Sequence, residues 1–462
     1  MKIAFIPNFV VKADGASTPF IPLGILSIIG CLRRENINDV NLIDLNCMLQ
    51  QGGQNFSADF YHYVTRFLLD GNYDLIGLST NCTSFHHVVS IARRIKKENR
   101  KITIVVGGQG PQTPSLAPSI LNAFPFIDYL VSGEGEITVP KLIHSVQKGK
   151  VPVDLPGIYF KLNGKTIINQ PNSLIENLDE LPIPDFESLN VDNNVGKYKN
   201  SESSIHIEQG RGCPFNCTYC STSVFWRHHP RCKSVFRVIR EMNILNELYS
   251  IDNFTLVNDC FNSDQDYLLK FCKLMQLSKK PYTWGCWLRL DRVNEETLNA
   301  LWAGGCRAFN AGIESGSERI QRLINKNLNL DHIVNNLIHA AKKGFHITTS
   351  FVIGFPEETK ADLIRTVKLH KKCLDVGVKN SHINLLIPLP GSQLLESGKY
   401  QLLFDGFESM LKHTLLLEEH INDIREHPLI FSPFYFLKPF NVSRKEFVEA
   451  EVLGNKLNNL YA

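Results

Sequence analysis

The sequence predicts an α/β protein with two parallel-sheet domains. The first is an N-terminal doubly wound parallel sheet of the Rossmann or flavodoxin-like kind, and the second is a partial (β/α)6 TIM-type barrel followed by a short mixed C-terminal extension. Three observations predict this fold class. Apolar strand-like runs alternate with helical periodicity over the first 150 residues. From residue 204 onward six further strand–helix alternations follow. The stretch between them is rich in proline and acidic residues.

The length of 462 residues favours two or three domains. We expect the first domain over residues 1–150, a linker over 151–203, the barrel over 204–395 and the extension over 396–462. Within the linker, two strand-like runs flank Asn163-Gly164 and predict a small hairpin. In the extension, the aromatic segment Ser432–Phe440 either covers a substrate site or packs as ordinary hydrophobic surface.

The composition excludes several classes of protein. Hydrophobic residues make up 43% of the chain and charged residues 21%, which is typical of a globular protein. The net charge of +3 is too small to predict binding to nucleic acid or to a membrane surface. We find no transmembrane segment and no signal-peptide pattern, so a cytoplasmic location is expected. In that compartment the 12 cysteines favour metal binding or free thiols over disulfides.

The first domain places small and polar residues where its strands end. We predict strands at Lys2–Pro7, Val40–Leu45, Asp74–Ser79, Ile102–Val106 and Ile127–Val131, and helices at Pro22–Glu35, Ser57–Leu69, His86–Asn99 and Thr138–Gln147. Ligands of such sheets bind at the carboxyl ends of the strands, where glycine lets the backbone approach them. The residues expected there are Ser79, Thr80, Gly107, Gly108, Gly133, Glu134 and Gly135. They indicate a cofactor or nucleotide pocket, and ordinary loop glycines are the alternative.

The second domain repeats a strand–helix unit six times. Its predicted strands are Ile205–Glu208, Phe254–Asn258, Thr283–Arg289, Phe309–Glu314, Ile347–Gly354 and Ile383–Leu389, and its predicted helices lie near 234–248, 265–275, 294–303, 331–343 and 360–375. The chemistry of a β/α barrel belongs at the carboxyl ends of its strands. Cys260 and Cys286 either face that cavity or are core thiols.

Three cysteines occupy one short loop after the first strand of this domain. Cys213, Cys217 and Cys220 are spaced C-x3-C-x2-C. Thiolates hold iron–sulfur clusters, and three of them leave one iron of a four-iron cluster without a protein ligand. An open coordination position is where a metal site does chemistry. Zinc is the alternative, because His228 and Cys232 could complete its ligand set, but zinc does not need a barrel.

This loop resembles the cluster-binding motif of the radical S-adenosylmethionine (SAM) enzymes. Two later strand ends match the same family, with Gly312–Ser317 reading G-I-E-S-G-S and Gly354–Thr359 reading G-F-P-E-E-T. The first domain is similar to the cobalamin-binding domain found in one branch of that family, which includes the anaerobic magnesium-protoporphyrin cyclase-like enzymes and the class B radical SAM methyltransferases. The loop Asn8–Ser17 lacks the axial histidine of many cobalamin proteins. His86 and His87 are the nearest substitutes, or they simply begin a helix.

The resemblance implies three cofactors and a set of residues that bind them. It implies Cys213, Cys217 and Cys220 as ligands of a 4Fe-4S cluster, Asp259, Arg289, Glu314, Ser315 and Gly354 as contacts of SAM, and Ser79, Thr80, Gly107, Gly108, Gly133, Glu134 and Gly135 as contacts of cobalamin. Asn258 replaces the first aspartate of the family's D-D-x-F, which leaves Asp259 as the candidate. Arg231 and Lys233 could hold the SAM carboxylate, or they are solvated loop charges.

The resemblance also implies the reaction. We expect methylation of an unactivated carbon through a 5′-deoxyadenosyl radical and methylcobalamin. A non-methylating oxidative cyclase or ring-rearranging enzyme is the alternative, and a non-catalytic cobalamin or iron–sulfur sensor is a third reading. The expected partners are a small-molecule or peptide substrate and a reducing electron donor such as flavodoxin or ferredoxin.

Overall fold

A computed structural model of the chain describes residues 1–17, 20–51, 56–189, 204–278, 280–405 and 414–461. These residues form two compact units. The first comprises residues up to 189 together with 414–434, and the second comprises residues 204–405 and 435–461. The end of the predicted linker, residues 190–203, lies outside the described residues. Within the described part of the chain, no helix combines the length and the apolar character needed to cross a bilayer.

The first unit is built on a seven-stranded sheet. Its elements in chain order are β1 (Ile3–Ile6), α1 (Leu23–Arg34), β2 (Val40–Leu42), α2 (Leu45–Gln51), α3 (Ala58–Asp70), β3 (Leu75–Ser79), α4 (Phe85–Glu98), β4 (Thr103–Gly107), α5 (Ala117–Ala123), β5 (Tyr129–Val131), α6 (Gly135–Gln147), β6 (Ile158–Leu162) and β7 (Lys165–Ile168). The strand order is β2-β1-β3-β4-β5-β6-β7, and the first five strands of this order are parallel. Their carboxyl ends therefore share one edge of the sheet.

The predicted hairpin is present, but it is part of the sheet rather than of a linker. β6 pairs antiparallel with β5, and β7 pairs antiparallel with β6. Asn163 and Gly164 both have positive φ, as the tight turn between two such strands requires. The hairpin joins the sheet because Ile158 and Tyr159 are fully buried there, which removes their apolar surface from water.

Two further details of the first unit differ from the sequence prediction. The second strand ends at Leu42 rather than Leu45, and helix α2 begins where that strand was expected to end. Helix α5 was not predicted, because its seven residues are too few to establish a helical period.

The second unit contains six parallel strands that lie in the sheet in chain order. Its elements are β8 (Ile205–Glu208), β9 (Gly210–Arg211), α7 (Thr222–Phe225), β10 (Arg231–Cys232), α8 (Val235–Tyr249), β11 (Asn253–Val257), α9 (Gln265–Leu277), β12 (Thr283–Trp287), α10 (Glu295–Ala303), β13 (Cys306–Glu314), α11 (Glu318–Leu323), α12 (Leu330–Lys343), β14 (His346–Ile353), α13 (Lys360–Asp375), β15 (Asn380–Leu385) and α14 (Gln393–Glu396). The order is β8-β11-β12-β13-β14-β15. All six predicted strands and five predicted helices of this part are present within a few residues.

The residues after 396 do not form one separate extension. They contribute β16 (Leu402–Phe404), α15 (Glu418–Glu426), β17 (Tyr435–Leu437) and α16 (Arg444–Tyr461). Helix α15 belongs to the first unit, where Asp423 pairs with Arg93 at 2.6 Å. Strand β17 and helix α16 belong to the second unit, and β17 pairs with β16. Ser432 to Leu437 are buried or nearly so, as hydrophobic packing predicts.

Candidate active site

The three-cysteine loop begins at Gly212, directly after β9. Gly212 has φ of +92°, and a Cβ there would approach the His229 carbonyl oxygen to 2.6 Å, so only glycine fits. Its amide donates to Asp259 Oδ2 at 2.7 Å, and the Thr218 amide donates to the Ile324 carbonyl at 3.0 Å. These two hydrogen bonds therefore attach the loop to the residues that follow β11 and α11.

The thiols of the loop lie in the field of two cations. Cys217 is buried, and Arg289 Nη1 lies 4.0 Å from its Sγ. Burial raises the pKa of Cys217, while the charges of Lys326 and Arg289 lower it. Positive charge beside a buried sulfur stabilises the thiolate that an iron–sulfur cluster requires. Among the described residues, no group of three or more His, Cys, Asp or Glu side chains is arranged to hold a metal ion.

Arg289 lies just beyond the end of β12 and contacts the cysteine loop twice. Besides its approach to Cys217, its guanidinium stacks over the Phe215 ring at 3.8 Å from the centroid. Asp291 pairs with it at 2.9 Å, and the Lys326 carbonyl accepts a further hydrogen bond. The buried guanidinium is thus held in one position against the loop.

Glu314 ends β13 in a strained conformation beside a lysine that sequence reasoning missed. Its φ is +70°, in a region that non-glycine residues rarely adopt, and the strand register shifts at this point. Lys326 Nζ pairs with its carboxylate at 3.1 Å; Glu314 is buried, and the Lys326 side chain is 12% exposed. Burial and Glu314 raise the pKa of Tyr219 well above its usual range, and the two side chains are hydrogen-bonded. No local pattern marks Lys326, since only folding brings it to the cysteine loop.

Ser315 and Gly354 follow the fourth and fifth strands of the sheet. The Ser315 hydroxyl is buried, lies 3.2 Å from the Thr366 hydroxyl and accepts the Ser317 amide at 3.1 Å. Gly354 has φ of +103°, and its amide donates to Glu358 Oε2 at 2.7 Å. Burial raises the pKa of Glu358 to about 8. In the sequence, Glu358 is the second glutamate of G-F-P-E-E-T, for which the sequence predicts no separate role.

Asp259 and Cys260 lie side by side after β11 and face the same loop. Burial raises the pKa of Asp259, and its carboxylate holds the Gly212 amide. The Cys260 thiol donates to Asn262 Oδ1 at 3.5 Å, and its proximity is the largest cause that lowers the pKa of Cys213 to about 7. Cys260 and Cys286 are both buried, as the core-thiol interpretation expects, and a position of either facing the barrel cavity stays a prediction.

Arg231 and Lys233 are not solvated loop charges. Both are buried. Lys233 Nζ lies 3.0 Å from Glu241 and 3.7 Å from Glu208, and the guanidinium of Arg231 stacks over Trp226 at 5.4 Å. That alternative is therefore wrong, because neighbouring carboxylates and an aromatic ring enclose these cations. Their contact with SAM stays a prediction.

In the first unit, the ends of β3 and β4 approach each other closely. The Thr80 amide donates to the Gly107 carbonyl at 3.0 Å. Gly108 has φ of +102°, and a Cβ there would lie 2.4 Å from the Thr80 carbonyl oxygen and 3.1 Å from Ser79 Oγ. Ser79, Thr80, Gly107 and Gly108 are thus brought together at the carboxyl edge of the sheet, as expected.

Gly133, Glu134 and Gly135 also lie on this edge. The two glycines are closely approached by other side chains, and Glu134 forms a hydrogen bond within the protein. A Cβ on Gly133 would meet Asn172 Oδ1 at 2.3 Å, and one on Gly135 would meet Ile28. The Glu134 carboxylate accepts the Ile175 amide at 2.6 Å. These residues hold the chain that follows the hairpin, and their contact with cobalamin stays a prediction.

Gln112, in the loop after β4, was not singled out from the sequence. Its Nε2 donates to the Gly108 carbonyl at 2.6 Å, whereas its buried Oε1 has no hydrogen-bond partner among the described residues. A buried acceptor without a partner is unfavourable unless a ligand supplies a donor. Cobalamin carries peripheral amide groups, so the edge of the sheet fits this cofactor.

His86 and His87 begin helix α4, which confirms the simpler of their two interpretations. Both rings are fully buried against His420 and Tyr61 of the same unit. Burial lowers the pKa of both histidines well below the usual value.

Comparison with known proteins identifies two domains in the chain. Residues 207–370 match the radical SAM superfamily, and residues 13–143 match the B12 binding domain. An uncharacterised methyltransferase of Pyrococcus horikoshii is 30% identical over 81% of this chain and 78% of its own length. An anaerobic magnesium-protoporphyrin IX monomethyl ester cyclase of Rubrivivax gelatinosus is 25% identical over 86% of this chain and 70% of its own length.

Among solved structures, the radical SAM methyltransferase TsrM of Kitasatospora setae, with cobalamin and a 4Fe-4S cluster bound, has a TM-score of 0.71. The alignment covers 100% of this chain and 89% of TsrM at 15% identity. The cobalamin-dependent SAM radical enzyme OxsB has a TM-score of 0.68 at 16% identity, over 98% of this chain and 66% of OxsB. At these identities the likeness is one of fold.

The chain belongs to the radical SAM superfamily, in the group that carries a B12-binding domain. It is a cobalamin-dependent radical SAM enzyme, and its cofactors are a 4Fe-4S cluster, SAM and cobalamin.

Proposed function

We propose that this enzyme methylates an unactivated carbon of its substrate. The observation that carries the proposal is a cysteine loop set among buried cations in a chain whose 30%-identical relative is named a methyltransferase. An oxidative cyclase or ring-rearranging enzyme is the second candidate, and the relative named as a cyclase favours it. A non-catalytic sensor does not need the strand-end residues that surround the loop.

We also propose a more specific architecture for each of the two units. Six parallel strands in chain order, the first four of which are followed by polar residues near their carboxyl ends, support a partial (β/α)6 barrel for the second unit. The parallel order β2-β1-β3-β4-β5 supports a Rossmann or flavodoxin-like cobalamin domain for the first. These assignments correspond to the two family matches along the chain.

Cys213, Cys217 and Cys220 would hold the cluster, which together with bound SAM supplies a 5′-deoxyadenosyl radical. Arg289 and Lys326 would favour the ligating thiolate of Cys217, because their positive charges oppose the rise in its pKa that burial causes. Phe215 fixes the guanidinium of Arg289, and Gly212 lets the loop turn against Asp259.

The proposed SAM contacts differ in the groups that they can offer. Asp259 and Glu314 present carboxylates that suit an ammonium group, and Arg289 presents a guanidinium that suits a carboxylate. Ser315 offers its backbone, since its hydroxyl is already bonded within the protein. Gly354 leaves open space, because a Cβ there would have no neighbour closer than 3.6 Å.

In the first unit, Ser79, Thr80, Gly107 and Gly108 would line the cobalamin site, with Gln112 as an additional acceptor. The roles of Gly133, Glu134 and Gly135 would be indirect, through the chain that they hold in place. Neither unit needs to supply a general base for this reaction, and we assign none.

The reaction is tested with anaerobically reconstituted protein, a chemical reductant, hydroxocobalamin and SAM carrying a deuterated methyl group. Methylation predicts that S-adenosylhomocysteine and 5′-deoxyadenosine form in equal amounts and that the label enters the substrate. A cyclase predicts 5′-deoxyadenosine alone. A Cys217→Ala variant should form neither 5′-deoxyadenosine nor product, whereas Cys373→Ala, which changes a buried thiol on α13, should form both. Formation of zinc-bound protein that never cleaves SAM would contradict the proposal.

The substrate, described only as a small molecule or peptide, and the electron donor of the flavodoxin or ferredoxin kind stay predictions. The cytoplasmic location stays a prediction as well.

A further inference from the structure

The first residue of helix α16, Arg444, lies beside the end of β14. A Cβ built on Gly354 would lie 3.8 Å from Arg444 Nη1 and 3.6 Å from Leu386 Cβ. Gly354 itself has no side chain, so the guanidinium and Leu386 border the open space above this glycine. Arg444 belongs to the segment after residue 396, and nothing in the sequence pattern marks it as part of a site.

The segment that carries Arg444 is bonded to the loop after β14. The Phe440 amide donates to the Pro356 carbonyl at 2.8 Å. On the other side of Arg444, Glu446 pairs with Lys360 at 2.7 Å. All of these residues belong to the second unit. Contacts before and after the arginine in the chain therefore hold it against the end of β14.

The guanidinium of Arg444 is fixed in one orientation. Its Nε donates to Asp405 Oδ1 at 2.9 Å, and its Nη2 donates to Asp405 Oδ2 at 2.6 Å. It also stacks over the Phe436 ring at 4.8 Å from the centroid. The side chain of Asp405 is 1% exposed and that of Arg444 12%. A two-point contact with a buried carboxylate sets the plane of the guanidinium and thereby the direction of its third nitrogen.

That third nitrogen, Nη1, is available to a ligand. Within the part of the chain that the structure describes, it forms no hydrogen bond, and it is the nitrogen that faces the space above Gly354. A donor that is largely withdrawn from water is unfavourable unless it gains an acceptor. Because Asp405 already compensates the positive charge, a neutral oxygen or nitrogen suits Nη1 better than a second anion does.

We propose that Arg444 binds the adenosyl group of SAM, by donating from Nη1 to a neutral oxygen or nitrogen of that group. The apolar side chain of Leu386 on the same space suits the face of a base, and the adenosyl group carries neutral acceptors on its base and its ribose. The inference rests on the proposed contact between SAM and Gly354. It holds for methylation and for cyclisation alike, because both need bound SAM.

The test is equilibrium dialysis of labelled SAM against reconstituted full-length protein, without oxygen and without a reductant, so that SAM is bound but not cleaved. Arg444→Gln combined with Asp405→Asn removes Nη1 without leaving a buried carboxylate unpaired. The Kd of SAM should rise about tenfold. Competition by 5′-deoxyadenosine should weaken by a similar factor, and competition by methionine should not change. Lys360→Gln removes the other ion pair between the same two segments and should bind SAM as wild type does.

Iron and cobalt counts first establish that each variant is loaded. If the double variant does not load, Arg444→Lys takes its place, since lysine keeps the charge beside Asp405 but has no Nη1. Equal SAM affinities in a loaded variant and in wild type would overturn the role of Arg444. An equal loss of competition by methionine and by 5′-deoxyadenosine would also overturn it, because a merely structural role affects both. A wild type that binds SAM no better than Cys217→Ala would overturn the proposed SAM contacts themselves.

Discussion

Glu358 allows a quantitative test of how the loop after β14 is held. Its carboxyl group is fully buried, and Oε2 accepts the amides of Gly354 at 2.7 Å and Phe355 at 3.0 Å. Oε1 has no hydrogen-bond partner among the described residues. Burial therefore disfavours the ionised form and raises the pKa from 4.5 to about 8. The two amides oppose this shift without reversing it.

The shift has a direct consequence for stability. The folded protein binds this proton more tightly than the unfolded chain, so the stability that Glu358 contributes is fully present below pH 4.5 and is lost as the pH rises to about 8. At about 1.36 kcal/mol for each pKa unit, the loss between about pH 5.5 and about pH 8.5 is roughly 3 kcal/mol.

Glu358→Gln removes the titration and keeps an oxygen for the two amides. As the pH rises over that range, the wild type loses this stability and the variant does not. We therefore expect the free energy of unfolding of the variant minus that of the wild type to increase by about 3 kcal/mol. Urea unfolding of both proteins at several pH values, without oxygen, measures it. Glu318→Gln changes an exposed glutamate and should differ from wild type by less than about 0.5 kcal/mol at every pH. A difference between Glu358→Gln and wild type that does not change with pH would refute the reasoning.

Three further predictions address the two sites. Cys217→Ala should lose the cluster, measured as iron and sulfide per chain, while Cys373→Ala retains it. Lys326→Met leaves the buried carboxylate of Glu314 without its cation and should lower the free energy of unfolding by about 3–5 kcal/mol, and adding Glu314→Gln should restore much of it. Urea unfolding measures the free energies of unfolding of both variants, and a double variant no more stable than Lys326→Met would contradict the prediction. Gln112→Leu should weaken hydroxocobalamin binding about fivefold in a spectroscopic titration, because a hydrogen bond of ~1 kcal/mol is lost, and unchanged affinity would exclude the contact.

The second unit could be predicted closely from its sequence. The six parallel strands and five longer helices predicted there are present within a few residues, so local pattern and final structure agree. The cysteine spacing predicts the metal chemistry in the same way, because three soft ligands lie on one loop. The first unit was predicted less completely, since α5 is short and the hairpin carries no mark of which edge it will join.

Local pattern by itself determined which elements form, where the three cysteines lie and which family the chain resembles. Only the tertiary structure brought Lys326 to Glu314 and Cys260 to Cys213, and only it buried Glu358 and Gln112. The physical reason is the separation along the sequence of the residues that interact. A strand, a helix or a cysteine loop is specified by neighbours a few residues away, whereas an ion pair, a thiol contact or a buried acceptor depends on segments that meet only when the sheet has assembled.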